Sequence, residues 1–384
     1  MKRKLSLLLC LLMVLTAFAG CANNNQESDV IKIGVFEPLT GENGGGGLQE
    51  LDGIKYANKM YPEVLGKKIE LVIVDNKSDK GEATTAVTRL IEQDKVVAII
   101  GSYGSGVSIA AGDIIKDAKI PAMGASCTNP MVTQGNEYYF RACFLDPFQG
   151  RVMANYALQQ GAKTAAVIMQ NGDDYSVGLG NFFINAFKEL TGDPNSVVDI
   201  SEFQVNDTDF NAILTNIKAK NPDVIFAPSS ATAAPLIIKQ ARALGIDSLI
   251  MGGDTWENPA VIDVAGADAE GIVLSTFFDE NDPATNEAKV FVEGYKKELA
   301  GKEPIIPAVA ALGYDAYLLV RDAIERAGNT NGDAIKDALN ATKDFEGVTG
   351  VINFTEEGDA DKNIAVIKTV QGGQFVYIDT VEVK

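Results

Sequence analysis

Short apolar stretches alternate with amphipathic ones along the first part of this chain. β-branched runs predict four strands, at 31–36, 69–75, 96–101 and 120–125. Helix-like stretches separate them, around 48–60, 81–93 and 106–118. Strands and helices that alternate at this spacing predict a parallel sheet covered by helices on both faces.

The same pattern then restarts, which predicts a second unit of the same kind. Its expected strands lie at 164–170, 197–203, 223–228, 249–253 and 271–276. Its expected helices lie near 149–160, 176–190, 210–220, 232–243 and 259–265. Three further helices, near 284–299, 308–327 and 332–341, precede the closing strands "GVINF", "IAVIKTV" and "QFVYIDTV". We therefore expect an α/β chain with two doubly wound, Rossmann-like lobes.

The amino terminus has the layout of a secretory signal. Basic residues at 2–4 are followed by an apolar run and small residues before Cys21, and the run is too short to span a membrane. "AFAGC" resembles a bacterial lipobox, with Phe18 where that motif usually has Leu. The alternative is an ordinary signal peptidase site near Ala19. We expect residues 1–20 to be a signal peptide, Cys21 to carry lipid and residues 21–29 to form a polar tether.

Charge and composition exclude several classes of function. The net charge is −19, and the signal peptide removes only cations, so nucleic acid and anionic lipid surfaces are poor partners. The chain has no histidine, which disfavours Ser-His-Asp and Cys-His catalysis and histidine metal sites. No cofactor is expected. Cys127 and Cys143 remain after export, either as buried thiols or as a disulfide.

The turn after the third predicted strand is suited to a small anion. "IIGSYGSGVSIAAGDII" runs from a strand through small residues into a helix, which points backbone N–H groups and the positive end of the helix dipole at one place. Nucleotide motifs are incomplete there. Ser105 stands where a helix N-cap belongs, and Ser126 and Thr128 end the next strand; each hydroxyl serves either the anion or only the turn.

The second half offers a negative charge at a strand end. Asp254 directly follows a predicted strand in "LIMGGDTWENPAVI". Asn258 and Pro259 are a better N-cap and first turn for the next helix, which leaves Asp254 available to a ligand cation. Tyr175 also follows a strand, where it either packs or contacts a ligand. An anion cradle facing a carboxylate suits a zwitterion.

These stretches carry a resemblance to a known family. "IKIGVFEPLTG", "VVAIIGSYGSGVSIAAGDIIKDAKIPAMGASCTNP" and "LIMGGDTWENP" resemble the extracellular solute-binding proteins of branched-chain amino-acid ABC transporters, from about residue 31 to the end. The resemblance implies a type I periplasmic binding protein fold, with two lobes joined by a three-segment hinge. It implies a first lobe of 30–147 with 278–360 and a second of 148–277 with 361–384.

The resemblance also implies roles for the candidate residues. Ser105, Thr128 and the backbone of Ser126 would bind the carboxylate of an amino acid. Asp254 would bind its ammonium group, and Tyr175 would close over it. The remaining implied ligand contacts are Tyr103, Gly104 and Ser230, the last at a position where relatives often have an aromatic residue.

The resemblance makes the chain a monomeric, exported lipoprotein that captures a small amino acid, branched-chain or related, for a membrane permease and its ATPase subunits. It would lie on the outer face of the cell membrane or in the periplasm. An amino-acid or amide sensor of the same fold is the alternative, and a hydrolase is disfavoured without histidine. Gly44–Gly47 replaces bulkier residues of relatives, which predicts either a roomier pocket or a mobile loop.

Overall fold

The computed structural model describes residues 29–301 and 305–382, and their strands form two main sheets. The first sheet is built from β1 (Val30–Glu37), β2 (Glu63–Val64), β3 (Lys67–Asp75), β4 (Ala98–Ile100), β5 (Ala122–Gly124) and β6 (Tyr139–Arg141). Their order is β2–β3–β1–β4–β5–β6. Neighbours from β1 to β6 pair in parallel, whereas β2 is antiparallel to β3.

The second sheet has seven strands and ends with an antiparallel edge. The strands that follow β6 are β7 (Ala165–Gln170), β8 (Val197–Phe203), β9 (Val224–Phe226), β10 (Leu249–Gly252), β11 (Val273–Thr276), β12 (Phe345–Gly347), β13 (Gly350–Ile352), β14 (Ile364–Gln371) and β15 (Gln374–Glu382). The order in the sheet is β15–β14–β11–β10–β9–β7–β8, and β12 with β13 forms a separate hairpin. Strands β7 to β11 pair in parallel, whereas β14 and β15 are antiparallel additions.

Helices cover both sheets, as the alternating pattern predicts. They are α1 (Gly44–Met60), α2 (Lys80–Glu92), α3 (Ser105–Ala118), α4 (Asp146–Gln159), α5 (Asp174–Thr191), α6 (Asn211–Lys220), α7 (Ala234–Ala243), α8 (Pro259–Ala265), α9 (Asn286–Leu299), α10 (Ala308–Ala327) and α11 (Gly332–Asn340). Short 3₁₀ turns occur at Pro130–Val132, Asp254–Trp256 and Gly266–Ala269. Every helix that the apolar periodicity predicts is present, with ends shifted by a few residues.

The chain passes between the two sheets three times. It leaves β6 for β7 through α4, returns after β11, and goes back before β14. Helix α10 belongs to the first lobe, since it packs on α1 and contacts β4 and β5. A Cβ at Gly53 of α1 would lie 1.9 Å from the carbonyl oxygen of Ala310, so only glycine permits this close approach. The predicted α/β fold with two doubly wound lobes is confirmed, whereas the exact lobe bounds stay a prediction.

Two features differ from expectation. Strands β2, β6 and β12 have only two or three residues each and lack a recognisable apolar run. Gly44–Gly47 is no loop, because it forms the first turn of α1, with Gly46 and Gly47 buried. Of the two alternatives left open for Cys127 and Cys143, the structure has buried free thiols.

The predicted signal peptide, the predicted lipid site Cys21 and nearly all of the predicted tether lie outside the described residues. Within 29–301 and 305–382, no helix has the length and apolar character needed to cross a membrane. The same residues contain no group of three or more acidic or cysteine side chains arranged to hold a metal ion.

Candidate functional site

A small cavity lies between the two lobes, at the carboxyl ends of their parallel strands. Its volume is about 20 Å³. The first lobe contributes one group of lining residues and the second lobe another. They are Asn43, Tyr103, Gly104, Ser105 and Ser126 on one side, and Asp173, Tyr175, Ser230, Asp254 and Thr255 on the other. Seven of these were predicted from the sequence as ligand contacts, and the topology brings them together.

The turn between β4 and α3 forms one wall. Gly104 is the N-cap residue of α3 and has φ of 99°, a conformation that favours glycine. Ser105 is therefore the first helical residue, and the expectation that it is the N-cap was wrong. Its Oγ accepts a hydrogen bond from the backbone N–H of Asn129 at 3.1 Å. The hydroxyl hydrogen of Ser105 remains available for donation into the cavity.

Ser126 and Thr128 follow β5 and differ in position. Ser126 lines the cavity, and its hydroxyl is hydrogen-bonded to the buried carboxyl of Glu50 in α1. Thr128 is fully buried behind the cavity wall, where its hydroxyl faces Asp146. The backbone N–H of Asp146 also donates to the carbonyl of Thr128, at 3.0 Å. Thr128 therefore does not line the cavity in this closed arrangement, and its predicted contact with a ligand stays a prediction.

Asp254 is the buried carboxylate of the opposite wall. It begins the 3₁₀ turn after β10, and Asn258 caps α8 with Pro259 at the first position, as predicted. Asp254 Oδ1 accepts hydrogen bonds from Gln149 Nε2 at 2.8 Å and from the Tyr175 hydroxyl at 2.9 Å. Burial raises the pKa of Asp254 to about 6, against the lowering effect of these two donors.

The cavity is acidic. Asp173 and Asp254 line it, whereas none of the lining residues within the described part of the chain is a lysine or arginine. The Asp173 side chain accepts from the backbone N–H groups of Tyr175 and Ser176 at the start of α5, and burial raises its pKa to about 6. A cationic group is therefore the natural complement of the second-lobe wall.

Hydrogen bonds join the two lobes around the cavity. Glu42 accepts from Gln170 Nε2 at 3.0 Å and from the Ser230 hydroxyl at 2.7 Å. Asp174 forms an ion pair with Lys80, with Nζ and Oδ2 2.7 Å apart, and accepts at its carbonyl from Asn129 Nδ2 at 2.8 Å. The protein is thus in a closed arrangement. Ser230, predicted as a ligand contact, bridges the lobes here.

Several residues in or beside the cavity were not predicted from the sequence. Gln149 and Glu50 lie within helices, and Glu42 lies in the loop between β1 and α1, so none of them stands directly at a strand end. Glu50 carried one signal: it stands three residues after Gly47 and four before Ile54, on the buried face of α1. A carboxylate on an otherwise buried helical face is a candidate for a special role.

Comparison with known proteins agrees with this architecture. A family model described as "Periplasmic binding protein" matches residues 30–374. The chain belongs to the periplasmic binding protein family. A leucine-binding protein LivK from Thermotoga maritima is 40% identical, with a TM-score of 0.87 over 92% of this chain and 99% of that one. LivJ from Streptococcus pneumoniae, solved with isoleucine, is 34% identical, with a TM-score of 0.84 over 92% and 99%.

A third relative is less similar in sequence and is also named for branched-chain amino acids. The leucine-, isoleucine-, valine-, threonine- and alanine-binding protein of Pseudomonas aeruginosa is 27% identical over 89% of this chain and 90% of its own length. The resemblance to the substrate-binding proteins of branched-chain amino-acid transporters is confirmed, together with the type I fold.

Proposed function

We propose that this periplasmic binding protein captures a small aliphatic α-amino acid between its lobes and delivers it to a membrane permease. One observation carries the proposal: the buried Asp254 carboxylate faces, across one cavity, the first turn of α3 with the Ser105 hydroxyl. An α-amino acid carries an ammonium group and a carboxylate that suit these two walls. The names of its relatives, for leucine, isoleucine and valine, support the same class of ligand.

The ammonium group is assigned to Asp254. A buried carboxylate with only neutral donors around it lacks a cation, and a ligand ammonium supplies one. Tyr175 and Gln149 then hold the carboxylate in place. The ligand carboxylate is assigned to the other wall, where Ser105, Ser126 and the free N–H groups of α3 provide donors.

The ring of Tyr103 bounds the cavity beside the first turn of α1. A Cβ at Gly46 would lie 2.3 Å from Cζ of Tyr103, so this ring fills the space that the glycines of α1 leave open. The expectation of a roomier pocket therefore has no support. What supports a ligand side chain of the size of leucine, isoleucine or valine is the set of ligands in the names of the relatives.

Binding is coupled to movement of the lobes. A cavity of about 20 Å³ accommodates roughly one water molecule, so an amino acid enters only when the cleft is wider. Closure then forms the contacts of Glu42, Asp174 and Asn129 across the cleft. The closed form is the one that a permease and its ATPase subunits would recognise.

The expectations for the amino terminus complete the proposal. A monomer anchored through a lipid on Cys21 would stand on the outer face of the cell membrane, with residues 21–29 as its tether. Its lobes would be 30–147 with 278–360 and 148–277 with 361–384. No step of this function requires catalysis.

A thermal-shift screen of the mature protein tests the proposal. Leucine, isoleucine and valine are compared with their amides and with the deaminated acids, such as 4-methylpentanoate for leucine. We expect at least one of the three amino acids to raise the melting temperature by several degrees, and the deaminated acids to have little effect. The proposal would be overturned if the deaminated acids stabilised the protein to the same extent as the amino acids. It would also be overturned if none of the α-amino acids stabilised the protein.

A further inference from the structure

Two glutamates lie fully buried beneath the first-lobe wall of the cavity. Glu37 ends β1, and Glu50 lies in α1. Glu37 Oε2 accepts from the backbone N–H of Tyr103 at 2.6 Å, and Glu50 Oε2 is hydrogen-bonded to the Ser126 hydroxyl. The Oε1 atoms of both have no donor among the described residues, and the two carboxyl groups are hydrogen-bonding neighbours of each other. A proton between these Oε1 atoms satisfies both.

The surroundings favour protonated carboxyl groups. From across the cavity, the charge of Asp254 raises the pKa of Glu50. The thiol of Cys127 and the phenols of Tyr103 and Tyr139 also face the two glutamates. None of these groups is a cation. Arg141, which faces Cys127 and Tyr139, is engaged in an ion pair with Asp359. Burial, with the charge of Glu50, raises the pKa of Glu37 well above its usual range, against the lowering effect of the Tyr103 N–H. Burial raises the pKa of Glu50 to about 7, against the lowering effect of its hydrogen bonds with Ser126 and Glu37.

We propose that Glu37, Glu50 and Ser126 form a chain of hydrogen bonds that turns the Ser126 hydroxyl toward the ligand carboxylate only when Glu50 carries a proton. This inference rests on the proposed function and deepens it, because it makes amino-acid binding a proton-coupled event. Glu37 and Glu50 are positioning residues, since both act through Ser126.

Each proton of the chain has a defined place. Neutral Glu37 donates from Oε1 to Glu50 Oε1, while its Oε2 keeps the bond from Tyr103. In this structure the Ser126 hydroxyl donates to Glu50 Oε2. When Glu50 is neutral and carries its proton on Oε2, this bond reverses and Oε2 donates to Ser126 Oγ, so the Ser126 hydrogen is free for the ligand carboxylate. When Glu50 is ionised, that hydrogen returns to Glu50 Oε2, and a buried negative charge opposes the ligand carboxylate. Binding to the ionised form therefore takes up one proton.

Titration calorimetry with leucine, isoleucine or valine, whichever binds, measures this coupling. Wild-type protein is titrated at pH 6.5, 7.5 and 8.5 in phosphate and in Tris, which differ in ionisation enthalpy. We expect affinity to fall above pH 7, by at most about tenfold per pH unit for one proton. The binding heat should differ between the buffers, by an amount that corresponds to uptake of up to one proton.

Glu50→Gln imitates the protonated side chain, since its amide accepts from Glu37 and donates to Ser126. This variant should bind with affinity and heat that no longer depend on pH or buffer between pH 7 and 8.5. Asp52→Asn, an exposed substitution in the same helix, should keep the wild-type profile. Ser126→Ala supplies a second readout: it should weaken binding more at pH 6.5 than at pH 8.5, where the hydroxyl already serves Glu50.

Several results would overturn the inference while leaving the proposed function intact. These are amino-acid binding by the wild type that is independent of pH and buffer, proton uptake that survives in Glu50→Gln, or equal weakening by Ser126→Ala at both pH values. Absence of amino-acid binding at every pH would instead refute the proposed function itself.

Discussion

The ring of Tyr103 packs directly on the backbone of Gly46. A Cβ at position 46 would lie 2.3 Å from Cζ of the ring, and both residues are buried. The ring of Tyr103 therefore occupies its position only because residue 46 has no side chain. Together they form part of the first-lobe wall, with Tyr103 itself lining the cavity.

Gly46→Ala should destabilise the protein because the ring must move. We expect the free energy of unfolding to fall by about 1–3 kcal/mol, as for overpacked cores. In a Tyr103→Ala background the same change should instead be neutral or stabilising, by up to about 1 kcal/mol from helix propensity. Urea unfolding of the four proteins measures the coupling. Gly45→Ala, at an exposed position of the same turn, is the matched control; equal losses in both backgrounds would refute the pairing.

Asp254→Ala should distinguish an amino acid from its deaminated analogue. Removing one partner of a buried charge pair costs about 2–5 kcal/mol, so the amino acid should bind roughly 30-fold to several-thousand-fold more weakly. The deaminated acid, which lacks the ammonium group, should lose little or gain. Ser105→Ala should weaken both compounds alike, because both retain the carboxylate. Calorimetry with both ligands checks this, and an equal loss for both in Asp254→Ala would make Asp254 a structural residue only.

Asp254→Asn should stabilise the ligand-free protein at neutral pH. The folded pKa of Asp254, about 6, is above its usual value of 3.8, so the folded state binds more protons than the unfolded state between these values. Stability therefore falls as pH rises through this window, by up to about 3 kcal/mol. Asn avoids this cost and still accepts from Gln149 and Tyr175.

Urea unfolding at pH 7.5 and below pH 4 measures that difference. The variant should exceed the wild type at pH 7.5, and the two should converge as the pH falls well below 3.8, where Asp254 is protonated in both states. A variant that is less stable than the wild type at pH 7.5 would show that the ionised carboxylate is stabilised by the site as it stands.

Glu42→Ala should weaken ligand binding through the closed form. Glu42 accepts two hydrogen bonds from the second lobe, and because its side chain is only half-buried, solvent screening lowers their joint contribution to about 1.5–3 kcal/mol. We expect affinity to fall about tenfold to a hundredfold, mainly through faster dissociation, which stopped-flow kinetics measures. Glu82→Ala removes an exposed acid that pairs within the first lobe, and it should leave dissociation unchanged. Unchanged dissociation in Glu42→Ala would contradict a role in closure.

Cys21→Ser should release the protein from the membrane. If Cys21 carries the lipid, its replacement removes the acyl chains that hold the protein at the bilayer. Fractionation and labelling with a fatty-acid analogue should show loss of label and either unprocessed precursor or a soluble product. Cys127→Ser is the control, because this thiol is buried in the first lobe. Full labelling of Cys21→Ser would refute the anchor.

The sequence determined most of the fold, because local periodicity reports which face of each element is buried. Long, regular helices such as α10 were predicted at Ala308–Ala327, the range that the structure has. Asn258 and Pro259 specified the start of α8 through purely local chemistry. Strands β2, β6 and β12 were not predicted, because two or three residues are too few to show an alternation of apolar and polar positions. Such short segments form strands only through pairing with a neighbouring strand.

The tertiary structure alone decided how the site is arranged. Strand ends identified Ser126 and Asp254, because parallel strands bring their carboxyl ends to one edge of each sheet. They did not predict that Thr128 turns inward, that Tyr103 fills the space beside Gly46, or that Glu50 lies beneath Ser126. Those outcomes depend on contacts between residues far apart in the chain, such as Ser126 and Glu50, and on the closed position of two lobes. Local sequence carries no record of distances set by packing, so only the folded chain reveals them.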